Sequence, residues 1–503
     1  MALSTSGISF SGLASGLDTS TLIQKLVQLE SQPITQLQNQ KQDFQAKLST
    51  VGTLKGLVKE LQAKAHTLAS KSSFLSYLTS TSIDGHVAAS ASGSATAGTH
   101  TVVVKKLATI DRWTFNAVAD KSVDLATANG QHITFSVGAS NFDVSVDAAT
   151  SNLEDIAAKI NSVAGEKVAA SVVNIGTSAS PSYQLVMTAK DSGHDNRIAS
   201  ITNNIAGLSI DTTGPNASGQ AQSANNITVG NDAEAVIDGL TVTRDTNDFS
   251  DVVAGLSITA QTADPNTVIS VAVNADTGAI KTKIKDLVTS YNKLVDFVNT
   301  QNSYSKDNGP GGNLFGDPLL GQVMSQVRGA LLNVPLSAVQ SDTEGYSTLQ
   351  LVGVKIQSDG KLQVDDTVLD DKVAENLEKL ADLFVDSDGF DNGGAAQNSA
   401  GYYTDTTLDS GLAATLDRAV DRMFDSYTGP NGAVYKGIFD TRTKTYTDTI
   451  NKLLKQIDQK QTQVDKFQND LTLKFSNLES VMGSLQSQGA ALQAGLAGIT
   501  NLS

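Results

Sequence analysis

The sequence of 503 residues contains no cysteine. That excludes disulfides, thiolate catalysis and every Cys-ligated metal or cluster. Histidine is scarce too: His66, His86, His100, His132 and His194 stand singly, in no metal-ligand spacing. There is one tryptophan, and aromatic residues make up 5%. No GxxxxGK[ST], no GxGxxG after a strand and no GxSxG elbow is present. These absences speak against an enzyme, a bound cofactor or a metal centre. No apolar run approaches about 18 residues, so no membrane-spanning helix and no membrane insertion are expected. The opening MALSTSGISFSGLASGLD lacks a basic region followed by an apolar core, so it does not read as a cleavable secretory signal. With 36 Lys and Arg against 52 Asp and Glu, the net charge is −16, which repels nucleic-acid phosphates.

The charge is uneven. Residues 1–75 hold seven Lys and four acids, residues 440–503 seven Lys/Arg and six acids, and residues 76–439 carry −20. Both ends show heptads. Near the C-terminus Ile450, Ile457, Val464, Leu471, Leu478, Leu485 and Leu492 share one position; Leu453, Lys460, Phe467, Lys474, Val481 and Gln488 share its companion. A 3.5-residue repeat over this length predicts a supercoiled seam, and its polar companions weaken it. A helix over 442–490 would be about 70 Å long. Near the N-terminus Leu37, Phe44, Val51, Val58 and Ala65 share one position; Gln40, Lys47, Leu54, Leu61 and Leu68 share the other. Pro33 suits the first turn of that helix. A shorter amphipathic helix over 19–31, capped by Asp18 or Thr19, precedes it. The two heptad segments are expected to pair with each other or with further copies; the plainer reading is a helical hairpin within one subunit.

Between the ends the period changes. AGTHTVVVKKLA at 97–108 is a β-branched run, and similar runs at 132–137, 142–146, 168–175, 183–189, 240–244, 256–262 and 267–273 are separated by Gly, Asn, Asp and Ser. Trp113 is expected just after a strand. One helix interrupts them at 151–161, with Ser151 as N-cap and Glu154 closing a capping box. The stretch 211–226 reads as a linker. Helical periodicity returns at Ile280, Ile284, Leu287, Val288, Tyr291, Leu294, Val295 and Val298, then near 317–333. A hairpin over 351–364 turns at Asp359-Gly360, a type I′ signal, and one helix is expected over 366–385. The acidic loop at 386–394 lacks the Gly position and closing Glu of an EF-hand and reads as a turn.

Six ordered motifs carry a resemblance. They are ISFSGLASGLDTSTLIQKLVQLESQPITQLQNQ (8–40), AGTHTVVVKKLA (97–108), AVIDGLTVTRDTNDFSDVVAGLSITA (235–260), NLFGDPLL (313–320), VGVKIQSDGKLQVDD (352–366) and DLTLKFSNLESVMGSLQSQ (470–488). Together they resemble the bacterial flagellar filament cap proteins, the flagellar hook-associated protein 2 family; residues 130–200 also resemble an insertion found in flagellins. The resemblance implies an α+β multidomain fold with terminal coiled-coil helices, a helical leg domain with a small β-hairpin, and two β-rich head domains, one inserted in the other. The implied divisions are a terminal segment 1–42, a leg 43–75 with 275–435, a head domain 76–115 with 222–274, an inserted head domain 116–221, and a C-terminal helix 436–503. It implies a non-enzymatic cap at the distal tip of the filament, extracellular and exported through the flagellar secretion system, that promotes folding and insertion of flagellin.

The implied partners are flagellin and the filament tip, further copies in a ring that is commonly a pentamer, the export machinery with an export chaperone and, in some members, host mucin. The alternatives are a flagellar structural or junction subunit and an adhesin acting through its head. Candidate contacts to filament, flagellin or other copies are Phe10, Leu13, Leu17, Leu22, Leu26, Leu37, Phe44, Ile450, Ile457, Val464, Phe467, Leu471, Phe475, Leu478, Val481 and Leu485. For a chain exported unfolded, the lack of cysteine would avoid disulfide scrambling.

Lys460, Lys474 and Gln488 should keep the seam from locking. Replacing all three with Leu is expected to give a tighter, less reversible assembly in analytical ultracentrifugation; an unchanged distribution would contradict the role given to them.

Overall fold

The computed structural model describes residues 16, 18–212, 225–307, 309–332, 345–386, 391–396, 399–407, 410–429 and 431–500. The chain divides into two compact units, one made of residues up to Ser70 and from Lys283 onward, the other of Lys71–Thr282.

The first unit begins with α1 (Thr19–Glu30) and α2 (Gln32–His66). Asp18 caps α1: its carboxylate accepts the Thr21 N–H and hydroxyl, which pull it down to about 2. Pro33 sits in the first turn of α2, where an N–H would have no partner in any case. α2 buries Val51, Leu54, Val58, Leu61 and Ala65, a stripe at alternating three- and four-residue steps.

The second unit opens with α3 (Lys71–Phe74) and continues with β1 (Tyr77–Thr81), β2 (Val87–Ala91), β3 (Gly98–Lys106), β4 (Ile110–Thr114), β5 (Gln131–Val137), β6 (Ser140–Val146), α4 (Leu153–Ala164), β7 (Val168–Asn174), β8 (Tyr183–Ser192), β9 (Ile198–Asn203), β10 (Asn226–Thr228), β11 (Ala233–Ile237), β12 (Leu240–Arg244), β13 (Leu256–Ala260) and β14 (Ile269–Ala275). Pairing between these strands is antiparallel throughout. One sheet has the order β1-β14-β3-β11-β12; its core holds Val102, Val104, Ala235, Ile258, Ile269, Val271 and Phe249. A four-stranded sheet, β10-β4-β8-β7, and a three-stranded one, β6-β5-β9, share a second core with α4. There Leu153, Ile156, Ala157 and Ile160 of α4 meet Ile133, Phe135, Leu185 and Met187. Each fully buried side chain of this size contributes roughly 1.5–3 kcal/mol.

A buried carboxylate on β4 ties together residues from 111 to 230. Asp111 Oδ2 accepts Trp113 Nε1–H at 2.8 Å and the Ile198 N–H at 3.0 Å; Oδ1 accepts the Gly230 N–H at 2.9 Å and the Asn226 amide at 3.2 Å. Gly230 has to be glycine here, since a Cβ would lie 2.9 Å from the Gly193 carbonyl oxygen and 3.1 Å from Asp111 Cβ. Asp238 and Gly239 both have positive φ, +50° and +83°, so the β11–β12 turn is type I′. The Asp238 carboxylate accepts the Thr101 N–H at 2.8 Å and pairs with His100 Nδ1 at 2.7 Å.

The chain then returns to the helical unit with α5 (Thr277–Asn302), α6 (Pro318–Leu332), α7 (Asp366–Glu375), α8 (Leu377–Phe384), α9 (Leu412–Phe424) and α10 (Ile438–Thr500). At 1.5 Å per residue α10 is about 95 Å long. Short strand pairs, among them Val354–Ile356 with Leu362–Val364, lie between them.

Several sequence expectations need correction. Asn152, not Ser151, caps α4, accepting the Glu154 and Asp155 N–H groups; Ser151 is buried and its Oγ accepts the Leu125 and Ala126 N–H groups. Trp113 lies inside β4, buried against its core. The helix expected over 366–385 is two, broken at Asn376, whose side chain caps the second by accepting from Lys379 N–H. At 357–361 only Gly360 has positive φ, +85°, and Gly360 N–H donates to Gln357 O, so this is a type I turn with a glycine bulge rather than type I′. The negative charge of the middle of the chain is shared by both units: Lys71–Thr282 carries eleven bases against twenty acids, −9, and residues 283–439 twelve against twenty-two, −10. Residues 213–224, most of the expected linker, lie outside the described residues.

Asp111→Ala would strand four buried donors. It should destabilise the β-rich unit by at least about 3 kcal/mol, read in urea by the fluorescence of Trp113, the one tryptophan of the chain. A loss below about 1 kcal/mol would show that water replaces the carboxylate.

Candidate functional site: the paired terminal helices

α2 and α10 run antiparallel, because Lys55 meets Asp440 at 3.8 Å while Phe44 meets Tyr446 edge-on at 5.7 Å. The two heptad segments therefore pair with each other inside one subunit. α10 contributes Phe439, Tyr446, Ile450, Leu453 and Val464 to the buried seam, and α1 lies along α10 as well.

Three polar clusters hold this arrangement. At the first, Asp317 at the start of α6 accepts the Leu319 N–H at 2.9 Å, Arg442 Nε–H at 2.9 Å and the Tyr446 hydroxyl. Burial opposes its ionisation, but Arg442 and Tyr446 outweigh burial and hold it below the usual carboxylate range. Burial and the Asp317 carboxylate push the Tyr446 phenol up to about 12. One carboxylate thus joins α6 and α10, and the Tyr446 ring carries the contact on to Phe44 of α2.

At the second cluster α9 faces α2. Gln62 Nε2 donates to Asp417 Oδ1 at 2.9 Å and to Asp421 Oδ1 at 2.6 Å. His66 is exposed but sits 2.9 Å from Asp417. Burial raises the Asp421 carboxyl, with Asp417 and Asp425 adding to it, while Gln62 and Lys59 counter. Phe424 stacks on Phe439 at 4.6 Å, so the end of α9 also packs on the start of α10.

The third cluster lies at the end of α8. Asp386 N–H donates to Ala69 O at 3.0 Å, and its Oδ2 accepts Arg418 Nη1–H and the Ser410 hydroxyl, each at 3.0 Å. Ser410 also hydrogen-bonds Asp405, which lies 3.6 Å from Arg418. One hydroxyl proton and one guanidinium therefore serve two nearly buried carboxylates, and Asp386 Oδ1 has no hydrogen-bond partner among the described residues. Burial pushes the Asp386 carboxyl up and Asp405 adds to it; Asp405 meets the same burial, but Ser410, Asp386 and Thr407 hold it low.

Along α10 the seam fades. Val464 is 3% exposed, Leu478 46%, Leu485 56% and Leu492 70%. Ile457, Phe467, Leu471 and Phe475 are half-buried, and Val481 is exposed. On α2, Leu37 and Phe44 are half-buried; on α1, Leu22 and Leu26 are exposed. Along α10 the predicted contact residues thus pass from a packed or half-buried set up to Phe475 to a bare set beyond it, and on α1 Leu22 and Leu26 are bare as well. Phe10, Leu13 and Leu17 lie outside the described residues. Leu29, on the apolar side of α1, is exposed as well, and so are Leu473 and Leu496, which fall off the heptad of α10. The row from Leu478 to Leu492 is an apolar surface of the kind that marks an interaction site. Among the described residues no group of three or more His, Cys, Asp or Glu is fit to hold a metal, and no described helix is long and apolar enough to cross a membrane.

Comparison with known proteins agrees with this architecture. Residues 230–487 match the family profile described as flagellar hook-associated protein 2 C-terminus, and residues 15–111 that of its N-terminus. A flagellar hook-associated protein 2 of Escherichia coli K12 is 31% identical over 369 residues, 71% of this chain and 76% of that protein. An A-type flagellar hook-associated protein 2 of Pseudomonas aeruginosa is 29% identical over 400 residues, 75% of this chain and 80% of the other. In fold, the chain is similar to the crystal structure of the flagellar cap protein FliD D1-D2-D3 domains from Escherichia coli, with a TM-score of 0.60 and 23% identity over 79% of this chain and 99% of that one.

Two substitutions separate the acid clusters by pH. The Asp317 pKa is lowered on folding, so its contribution is present above the unfolded carboxylate value and lost as pH falls through the folded one. Asp317→Asn should cost about 2 kcal/mol at pH 7, and the cost should shrink only as pH falls below the unfolded carboxylate value, about 3.9, in urea titrations followed by circular dichroism. The Asp386 pKa is raised, so stability from its protonated form is present below the unfolded value and lost as pH rises through the folded one. Asp386→Asn should therefore be at least as stable as the parent at pH 7, whereas Arg418→Met should lose about 3–5 kcal/mol. A large loss in Asp386→Asn would contradict this account of the cluster.

Proposed function

The chain belongs to the flagellar hook-associated protein 2 family, and on that premise we propose that it forms the non-enzymatic cap at the distal tip of the bacterial flagellar filament. It is an extracellular flagellar protein that retains exported flagellin and promotes its folding and insertion. The observation that carries the reading is the division of α10 into a half packed on α2 and a half with a bare apolar row. In water that row costs free energy, roughly 25 cal/mol for each Å² of apolar surface left exposed. Docking onto an apolar partner would recover it.

The packed half then acts as a lever, and the bare half with α1 as the grip. Leu22, Leu26, Leu478, Val481 and Leu485 are the contacts to filament, flagellin or neighbouring copies; Leu37, Phe44, Ile450 and Val464 position them from within the subunit. The five-part division into terminal segments, leg, head and inserted head fits the two separate cores of the β-rich unit, one built from residues 113–208 and the other from residues 87–108 and 233–273. The copies assemble as a ring at the tip, and the unfolded chain leaves the cell by the flagellar export route with an export chaperone. The charge distribution, with nearly neutral ends and −20 between them, suits a tip whose exposed parts stay soluble.

The reading is tested by adding the purified protein to flagellin monomers and viewing the products by electron microscopy. Filaments growing with a plate at one end are expected. A chain lacking 441–503 should give none while its β-rich unit keeps its own unfolding transition. Capping by the truncated chain would contradict the proposal.

A further inference from the structure

A cavity of about 760 Å³ in the helical unit takes no part in the reading above. It lies among α6, α9 and the segments that carry Tyr403, Tyr427 and Tyr435. Residues 283–439 are strongly acidic, twelve bases against twenty-two acids. The cavity reverses that balance: among its described lining residues Arg418, Arg422 and Lys436 are basic and Asp405 alone is acidic. Asp405 is already engaged by Ser410 and Arg418. Arg422 and Lys436 are exposed at the wall, and neither forms an ion pair among the described residues.

The aromatic side is also preformed. Tyr427 and Tyr435 are cross-strand partners stacked at 5.2 Å and 16°, with Tyr403 edge-on to Tyr427 at 6.2 Å. The Arg422 guanidinium lies 5.4 Å from the Tyr427 ring centroid and donates to its hydroxyl at 3.3 Å, so its fork is oriented before any ligand arrives. Tyr435 is 45% exposed. A guanidinium, an ammonium and a flat aromatic surface in one recess can hold a carboxylate and an adjoining apolar side chain together. Tyrosine and arginine are also the residue types that carry binding energy at protein interfaces.

We propose that this cavity is a docking site for an acidic peptide segment of a partner protein. One carboxylate meets Arg422 and Lys436, and a neighbouring aromatic or apolar side chain lies on Tyr435. Charge complementarity favours this occupant. The favourable charge is local to the cavity wall, and a small inorganic anion would leave the tyrosines unused. The inference is independent of capping.

The test uses the full chain and a fluorescein-labelled Gly-Glu-Phe-Glu-Gly peptide, with Gly-Gln-Phe-Gln-Gly as its neutral counterpart, read by fluorescence anisotropy. Saturable binding of the acidic peptide is expected, about tenfold tighter than the neutral one and weakening as salt rises. R422Q/K436Q should reduce the acidic peptide to the affinity of the neutral one. Tyr435→Ala should weaken both peptides, with unchanged circular dichroism showing that the fold is kept. Absence of saturable binding, equal affinity for the two peptides, or full binding by R422Q/K436Q would overturn the proposal. Self-association of the parent chain that R422Q/K436Q abolishes would overturn the partner assignment in favour of a second copy.

Discussion

The helical unit depends on the antiparallel packing of α2 against α10, which brings together parts of the chain some four hundred residues apart in sequence. Loop-closure entropy grows only slowly with loop length, so inserting an entire β-rich unit between the two helices costs little more than a shorter insertion would. What must be strong is the contact itself. Val51, Leu54, Val58 and Leu61 supply the apolar side from α2, with Phe439, Tyr446, Ile450 and Leu453 from α10. Polar atoms then fix the register. Asp317 binds Arg442 and Tyr446, and Tyr446 lies against Phe44, so a slip of α10 by one turn would break two charge-assisted bonds and an aromatic contact at once. α6 and α9 take their places from the same helices, through Asp317 and through the Gln62 contacts to Asp417 and Asp421.

The balance of forces changes along α10. Near its start it is held by burial and by buried charge; a surface ion pair such as Lys55 with Asp440 adds little because water screens it. Past Phe475 the helix continues with few described neighbours, and its leucines face solvent. A helix without tertiary support draws on propensity alone and is marginal. The same sequence repeat therefore gives a rigid half and an adaptable half, which is what a part that must both belong to its own subunit and engage another surface requires.

Much of this was legible in the sequence. The heptads located both terminal helices, and the period-two runs located the strands with β-branched residues, such as β3 and β5. Strands such as β9 and β10 carry no clean period-two run, because Asn, Ser and Thr interrupt their apolar residues, and their pairing is decided by neighbours far along the chain. The α4 cap was assigned one residue early because Ser151 has the composition of a cap; burial instead turned its hydroxyl towards Leu125 and Ala126. The heptads marked a continuous apolar row but carried no signal for where its burial stops, since that depends on the length of α1 and α2 lying alongside. Asp317 stood in a recognised motif, yet nothing local pointed to Arg442, 125 residues away. Likewise Asp386 read as one acid of a turn, and only the fold sets it against Asp405 and Arg418.

The central claim is that the apolar row of distal α10 is bare in the free protein and covered at the filament. Amide hydrogen exchange of the full chain, with and without flagellar filaments, tests it most directly. The account predicts fast exchange over 478–496 in the free protein, strong slowing there and in α1 on docking, and little change over 444–464. Unchanged exchange over 478–496, with new protection confined to the β-rich unit, would contradict it.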